Sequence, residues 1–386
     1  MSLIKIFKRS EKGSITLMVL AAMIFVLVVI TASYFAISNK SGNQDKKISK
    51  IAQQYRASDE DMDQEYQKVV RNLKVEDYVK VGDYVDYNPT IATKDGQSVD
   101  TNKLTYTSPT GTATEHGNGY TSTEEGGGQT FTANSNTKWK VLSIENGNIE
   151  LISEDVIKTD SNENFILSGA IGYLYAEQEL NQVCKIFGYG YGADTTKGGT
   201  YTIGGPLDAP TTRKIEGTGA RSITIEDINK QAGIYEEDGK MKFNDGTDVN
   251  SNYGDTTNPT SDIFYPTVNG DSTNGVSTSA GVKNLKYTYY SYNKSKIENT
   301  TVQSMMFNGS YWLASRCINT YSMYADFVVH HVIGYNVYTG GMFRANANTF
   351  DKTSNNTSAV RPVVTLKSDT IDLSINYDKD NIWRLK

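Results

Sequence analysis

Two adjacent histidines and five tyrosines lie in residues 310–349, which is where the side chains that could do chemistry are densest. The histidines, His330 and His331, are two of only three in the chain. Neighbouring residues on a strand point to opposite faces, so one metal ion would not easily take both imidazoles. Tyrosine offers a large amphipathic contact area, while serine and asparagine offer adaptable hydrogen bonds. This mixture predicts a displayed binding surface rather than a catalytic centre.

The candidate ligand-binding residues stand around two strand signals. Ala325, Phe327 and Val329 alternate with Asp326 and Val328, as in a strand that packs against a core. Gly340–Gly341 followed by Met342–Phe343 indicates a further turn and strand. Histidines at such a face titrate near pH 6, so we expect binding to change there. The candidate residues are Tyr321, Tyr324, Asp326, His330, His331, Tyr335, Tyr338, Arg344, Asn346 and Asn348.

No catalytic motif accompanies this stretch. The chain lacks a G-x-S-x-G nucleophile motif, and the glycine-rich residues 188–192 lack the lysine and Ser/Thr of a phosphate-binding loop. The acidic residues 244–255 hint at Ca²⁺ but lack the bidentate glutamate of an EF-hand loop, so a solvated loop is the preferred interpretation. We predict no enzymatic activity, no metal site and no cofactor, with Ca²⁺ as a weak alternative.

The two cysteines, Cys184 and Cys317, leave two alternatives open. No C-x-x-C pair exists, so neither a zinc ribbon nor a thioredoxin-like site is indicated. The two could form one disulfide if the domain is extracellular. Two buried free thiols are the preferred interpretation.

Composition excludes one class of partner. The chain has 386 residues, a net charge of -6 and 21% charged residues. Nucleic-acid binders need a basic surface, so we expect no nucleic-acid partner. Tyrosine is abundant and proline scarce, and Gly, Asn, Thr and Ser fill long stretches. This composition is typical of a β-rich exported protein with large loops.

The N-terminal part of the sequence predicts a membrane anchor and a stalk. Residues 15–37 carry no charge and are long enough to cross a bilayer as a helix. Apolar residues then recur at steps of three, four and seven between Ile48 and Leu73, as on one helix face. The sequence does not decide between an uncut signal anchor, a cleaved signal peptide and a processed leader. The expected domains are a leader at 1–13, an apolar helix at 14–37, an amphipathic stalk at 38–75 and an extracellular domain at 76–386.

Residues 12–30, KGSITLMVLAAMIFVLVVI, resemble the type IV prepilin leader and the helix that follows it. The resemblance implies cleavage after Gly13, a new N-terminus at Ser14, a single-pass position in the cell membrane and pilin subunits as partners. The chain departs from the family at Met18, where pilins usually carry glutamate. This departure puts filament assembly in doubt more than export.

The main domain alternates strand and helix signals separated by long polar segments. VGDYVDY at 81–87 alternates as a strand does, and two alternating runs flank Asn146-Gly147-Asn148, which indicates a hairpin. Residues 171–188 have helical spacing, and residues 221–233 have Thr224 as a candidate N-cap. The run SAVRPVVTLKS at 358–368 suits a strand with Pro362 at an edge or at the start. These signals predict an α+β fold.

The blocks VGDYVDY, WKVLSIENGNIELISEDVI, SYWLAS and AVRPVV resemble exported domains of the formylglycine-generating-enzyme branch of the C-type lectin fold. Several relatives are variable proteins of diversity-generating retroelements. This resemblance implies a variable ligand-binding region at 317–350 that contacts a protein or glycan on another cell, a phage or a host. The alternatives are a structural minor pilin or pilus-tip subunit and, third, a formylglycine-generating enzyme, which would need a reactive cysteine site.

Overall fold

The structure is a computed structural model that describes a defined part of the chain. The described residues are 74–108, 114–115, 120–121, 128–168, 172–203, 211–249, 263–264, 275–276, 290–320, 324–346, 350–351, 357–373 and 382–386. Within them, the backbone alone is described for 114–115, 120–121, 168, 172–174, 263–264, 275–276, 318–320, 324–326, 341–346 and 350–351. The predicted leader with Gly13 and Ser14, the apolar helix and nearly all of the stalk therefore lie outside the described residues.

The predicted α+β class is confirmed. The helices among the described residues are α1 (Val75–Tyr78), α2 (Gly172–Cys184), α3 (Ile225–Gln231) and α4 (Thr300–Met306). None of these described helices is long and apolar enough to span a membrane. The strands are β1 (Tyr84–Val85), β2 (Thr105–Thr107), β3 (Thr114–Glu115), β4 (Tyr120–Thr121), β5 (Thr130–Thr132), β6 (Trp139–Glu145), β7 (Asn148–Ser153), β8 (Ile166–Ser168), β9 (Thr200–Ile203), β10 (Thr211–Lys214), β11 (Ala220–Ser222), β12 (Tyr235–Glu237), β13 (Lys240–Lys242), β14 (Ile263–Phe264), β15 (Gly275–Val276), β16 (Tyr292–Asn293), β17 (Tyr311–Thr320), β18 (Tyr324–Ile333), β19 (Asn336–Asn346), β20 (Phe350–Asp351), β21 (Thr357–Ala359), β22 (Pro362–Lys367) and β23 (Ile382–Trp383).

The chain divides into two units. The first comprises residues 1–78 and 372–382, of which the structure describes only 74–78, 372–373 and 382. The second comprises residues 79–371 and 383–386 and contains nearly all the strands. The candidate site lies in the second unit.

The first large sheet has the strand order β11-β22-β7-β6-β1-β23. The predicted hairpin joins β6 to β7, with Asn146 at φ 50° and Gly147 at φ 75°. Positive φ at both central residues is the type I′ turn that the Asn-Gly pair favours. Pro362 begins β22, where its missing N–H disturbs the sheet least. The predicted strand at 81–87 is shorter than expected, because Gly82 turns the chain at φ 93° before β1 begins.

The second large sheet carries the candidate site. Its order is β16-β19-β18-β17-β21-β8, with β20 also paired to β19. Strands β17, β18 and β19 form an antiparallel meander of strands 10 or 11 residues long, whereas β17 and β21 run parallel. Helix α2 packs against this meander. Helix α3 begins at Thr224 with a full capping box to Asp227, as the sequence predicts.

The core joins the two sequence blocks SYWLAS and VRPVV. Tyr311, Trp312 and Leu313 of the first block are buried, and Tyr311 pairs with Ala359 across the parallel strands. Arg361 of the second block is fully buried, with its guanidinium 5.2 Å from the centre of the Tyr311 ring. The large side chains of the two blocks therefore pack together in the centre of the domain.

Candidate functional site

A tight turn connects β18 to β19 at one end of the meander. Ile333 pairs with Asn336, which leaves Gly334 and Tyr335 as the two central residues of the turn. Gly334 has φ 55°, whereas Tyr335 is not among the residues with positive φ. Glycine at the first central position is the requirement of a type II′ turn, whose twist matches that of the flanking strands. The sequence Ile-Gly-Tyr-Asn therefore forms the end of a hairpin.

Three large side chains are exposed together at this hairpin. Ile333 is 44% exposed, Tyr335 61% and Tyr338 48%. Among the described residues, the only other exposed large hydrophobic side chain is Tyr235, in the separate β12–β13 hairpin. Single exposed apolar residues are ordinary, but three on one hairpin end form a candidate interaction surface. We call Ile333, Tyr335 and Tyr338 the tip patch.

The edge strand β16 holds the tip patch in place. The backbone N–H of Lys294 donates to the Tyr335 carbonyl at 2.8 Å, and the Lys294 ammonium lies 3.9 Å from the centre of the Tyr335 ring. The Asn293 amide also donates to the Asn336 side chain at 3.0 Å. A cation over an aromatic face contributes roughly 0.5–1 kcal/mol at an exposed site. These contacts fix the position of Tyr335 at the turn.

His330 and His331 do not reach the surface. Val328, Val329, His330, His331 and Val332 are all buried, because both faces of β18 are covered. The strand expected at 325–329 forms and packs against the core through Phe327 and Val329, with a register shift after Phe327. We leave both histidines out of the exposed contact face.

His330 has a complete set of hydrogen bonds. Its Nε2 accepts from the Tyr290 backbone N–H at 3.1 Å, and its Nδ1 lies 3.1 Å from the Ser315 carbonyl. Only the neutral tautomer with the proton on Nδ1 fits both partners, because a carbonyl can only accept. Burial lowers the pKa of His330 to about 4, although the Ser315 contact opposes the shift. His330 therefore pins the chain at Tyr290 to the meander.

His331 has no such partners. Its ring stacks on Trp312 with centroids 5.1 Å apart, and Tyr338 lies 6.4 Å away on its other side. Neither ring nitrogen has a hydrogen-bond partner among the described residues. Burial, followed by the neighbouring His330, lowers the pKa of His331 to about 4. The charge change expected near pH 6 therefore moves to a lower pH for both histidines.

The remaining candidate residues lie toward the other end of the meander. Backbone register sets Tyr324 opposite Asn346 and Asp326 opposite Arg344. At about 3.3 Å per residue, Tyr324 is roughly 30 Å along β18 from Ile333. Tyr321 and Asn348 lie outside the described residues. The strands thus separate the candidate set into two ends, and side chains are described only at the end that contains His330, His331, Tyr335 and Tyr338.

The cysteines and the acidic loop, which the sequence analysis also considered, have local structural explanations. Cys184 and Cys317 are free and buried, and burial raises the pKa of both thiols above the ordinary value. The disulfide alternative is therefore not formed. In the acidic loop, Asp245 accepts from Thr247 and pairs with Lys296 at 3.1 Å. Among the described residues, no three His, Cys, Asp or Glu side chains are placed to hold a metal ion.

A polar groove of about 500 Å³ lies elsewhere, between α2, the β9–β10 hairpin and α3. Lys197, Lys214 and Arg221 line it. Arg221 donates to both carboxylate oxygens of Asp227, at 2.6 and 2.8 Å, and to Glu150 at 2.8 Å. These bonds connect α3 to the first sheet, so the Arg221 guanidinium has a structural role.

Two residues of the tip were not among those chosen from the sequence. Neither the apolar Ile333 nor Lys294, which lies 41 residues before Tyr335, was a candidate residue. The Gly-X turn signal at Gly334–Tyr335 could have identified Ile333 as part of a hairpin end. No local signal predicts the contact of Lys294 with Tyr335.

Comparison with known proteins gives no relative for this chain. No family model matches it, and neither a curated protein nor a solved structure matches it.

Proposed function

We propose that the protein is a surface-displayed binding protein of the adhesin or receptor type, without enzymatic activity. The single observation that carries the proposal is the tip patch, since three of the four exposed large hydrophobic side chains among the described residues share one hairpin. Tyrosine is enriched at binding hot spots because it contributes large contact area at low entropic cost. The ligand is a protein or a glycan on another cell, a phage or a host.

The same proposal includes the display of this domain on a membrane. Residues 14–37 would anchor the chain by a single pass, with residues 38–75 as a helical stalk and the α+β domain outside the cell. The chain resembles type IV prepilins at this segment and C-type-lectin-like variable proteins in the domain. Supporting features are the two-sheet architecture with few helices and a long meander that ends in exposed tyrosines.

The double change Tyr335→Ser and Tyr338→Ser should remove most binding. Two exposed aromatic anchors would be lost while the hairpin backbone is kept, so we expect affinity to fall about 30-fold to 700-fold, at roughly 1–2 kcal/mol per anchor. The measurement is adhesion of cells that display the full-length chain to other cells, phage particles or host cells. Tyr235→Ser is the matched control, because Tyr235 is 41% exposed on a different hairpin.

Equal adhesion by the double variant and by Tyr235→Ser would contradict the proposal. The minor-pilin alternative would then be favoured. Loss of filaments on deletion of the protein would support that alternative.

The proposed diversification of residues 317–350 makes a prediction about DNA. In retroelement-diversified relatives, adenine-rich template codons change to a restricted set of polar and aromatic codons. Deep sequencing of residues 300–370 in one clonal lineage and its sister isolates should show substitutions concentrated at adenines between Cys317 and Phe350. Because His330 and Val332 are buried, we expect their codons to vary less than those of Tyr335 and Tyr338. A stretch as constant as its flanks would indicate one fixed partner.

A further inference from the structure

His331 is placed where an aromatic hydrocarbon would serve the fold better. Its ring stacks on Trp312, with an interplanar angle of 19°, and phenylalanine could make the same stack. His331 is only 2% exposed, yet neither ring nitrogen has a hydrogen-bond partner among the described residues. A buried polar group without a partner destabilises a fold and calls for an explanation. Packing alone therefore does not account for the imidazole.

The position of His331 connects it to the tip patch. In the register of the meander, Trp312 is opposite His331 and His331 is opposite Tyr338. The three rings thus form a row that runs from the core to the exposed Tyr338. Tyr338 lies beside the imidazole on the neighbouring strand, so rotation of its side chain would open that side of the ring. Rotamer changes of this kind are common when proteins bind. A ligand on the tip patch is therefore one side chain away from His331.

The chemistry of the ring limits what could bind it. A neutral imidazole offers one N–H donor and one acceptor nitrogen. Hydroxyl and primary amide groups can both donate and accept, so they suit either nitrogen without a charge being buried. His330 is the titratable group that acts on the pKa of His331, and it is neutral when its two hydrogen bonds are made. An uncharged ligand group is therefore favoured over a carboxylate or an ammonium.

The shape of the patch favours a protein over a sugar. Small ligands and sugars are usually held in concave sites, whereas the patch consists of exposed side chains at a two-residue turn. Its exposed side chains are one aliphatic residue and two tyrosines, the composition of the centre of a protein–protein interface. The neighbouring Asn293 and Asn336 amides are bonded to each other, so they are already engaged. A partner with a groove that receives the hairpin end fits these features.

We propose that His331 is a specificity-determining residue of the tip patch. A protein partner would insert an uncharged hydroxyl or amide side chain beside Tyr338 and form a hydrogen bond with the imidazole. This inference rests on the proposed binding function and names the partner class and the recognition chemistry of the same site.

The first test needs no ligand, and the adjacent histidine provides the matched control. In the full-length chain, purified in detergent, urea unfolding at pH 7.5 would be followed by the fluorescence of Trp139, Trp312 and Trp383, which are all buried. His331→Phe should keep or raise the unfolding midpoint, because it removes an unpartnered polar group and keeps the stack. His330→Phe should lower the midpoint, because the Tyr290 N–H and the Ser315 carbonyl lose their partner. Destabilisation by His331→Phe equal to that by His330→Phe would overturn the inference.

The second test uses a phage-displayed library of random dodecapeptides, selected on the immobilised full-length chain. Peptides that fail to bind the Tyr338→Ser variant are kept, and their Kd values are measured. We expect His331→Phe to weaken these peptides about tenfold, the equivalent of one hydrogen bond, and Tyr235→Ser to leave them unchanged. With ¹⁵N-labelled histidine, peptide binding should also move the ring-nitrogen signals that disappear in His331→Phe.

The outcomes separate this inference from the proposed function. Peptides that need Tyr338 but bind His331→Phe equally well would overturn the role of His331 and leave the binding function intact. Binding of methyl glycosides of glucose, galactose or mannose that needs both residues, without any such peptide, would overturn the protein partner. If no peptide and no glycoside depends on Tyr338, the inference and the binding function both fail.

Discussion

Replacing Arg361 with methionine should lower the free energy of unfolding by about 3–5 kcal/mol. The Arg361 guanidinium is fully buried and donates to three backbone carbonyls: Ser153 at 2.7 and 2.9 Å, Met305 at 2.6 Å and Glu154 at 2.9 Å. Methionine keeps most of the volume but leaves these carbonyls without the donors. The effect is large because one side chain joins the end of β7, the helix α4 and the Tyr311 ring.

Lysine would not restore the loss at this position. Its ammonium is a point charge with three donors and cannot present the planar fork that reaches carbonyls on different elements. We therefore expect Arg361→Lys to lie closer to Arg361→Met than to the wild type in urea unfolding. Arg213→Met is the control, because Arg213 lies on the exposed strand β10, and a surface change there should stay within about 0.5 kcal/mol. A loss below about 1 kcal/mol in Arg361→Met would show that the carbonyls find other partners.

Acidification should destabilise the domain well above the range in which carboxylates titrate. The folded-state pKa of His330 and of His331 is about 4, below the ordinary 6.5. The unfolded chain therefore binds more protons between these values, so stability is fully present above pH 6.5 and is lost as the pH falls toward 4. Between pH 7.5 and pH 5 the loss is about 2 kcal/mol for each histidine.

The unfolding midpoint in urea at pH 7.5, 6.0 and 5.0 checks this expectation, and His331→Phe provides the comparison. That variant should lose about half as much stability over the same range, because one of the two buried imidazoles is gone. Carboxylates act at lower pH. Burial opposes the shift, but Arg221 lowers the pKa of the Asp227 carboxyl. The stability that this carboxylate contributes is therefore lost only when the pH falls below the ordinary pKa of 3.8. A midpoint independent of pH from 7.5 to 5 would contradict the burial of both histidines.

The local elements could be predicted from the sequence because their determinants are local. Asn146-Gly147 permits positive φ at two successive residues, Thr224 and Asp227 cap a helix reciprocally, and Pro362 begins a strand. The spacing of apolar residues also located α2. These interactions join residues a few positions apart, so a short stretch of sequence contains all the residues that determine them.

The burial of the two histidines could not be predicted, because it depends on what covers each face of β18. The tertiary structure brings Tyr290 and Ser315 to His330, and Trp312 and Tyr338 to His331. From sequence alone, a polar residue in a strand is predicted to be exposed, because the distant residues that would cover it are not known. The same limit applies to Arg361, whose carbonyl partners lie 56 to 208 residues away.

The sequence alone determined the α+β class, the turns and caps, and the stretch that contains the exposed tyrosines, since composition and spacing encode these features. Only the tertiary structure decided which of those residues meet solvent. It separated the tip patch from Tyr324, Asp326, Arg344 and Asn346, and it left His331 beneath Tyr338 without a described hydrogen-bond partner. The physical reason is that exposure and hydrogen bonding are set by strand register and by contacts between distant segments, which no short stretch of sequence specifies.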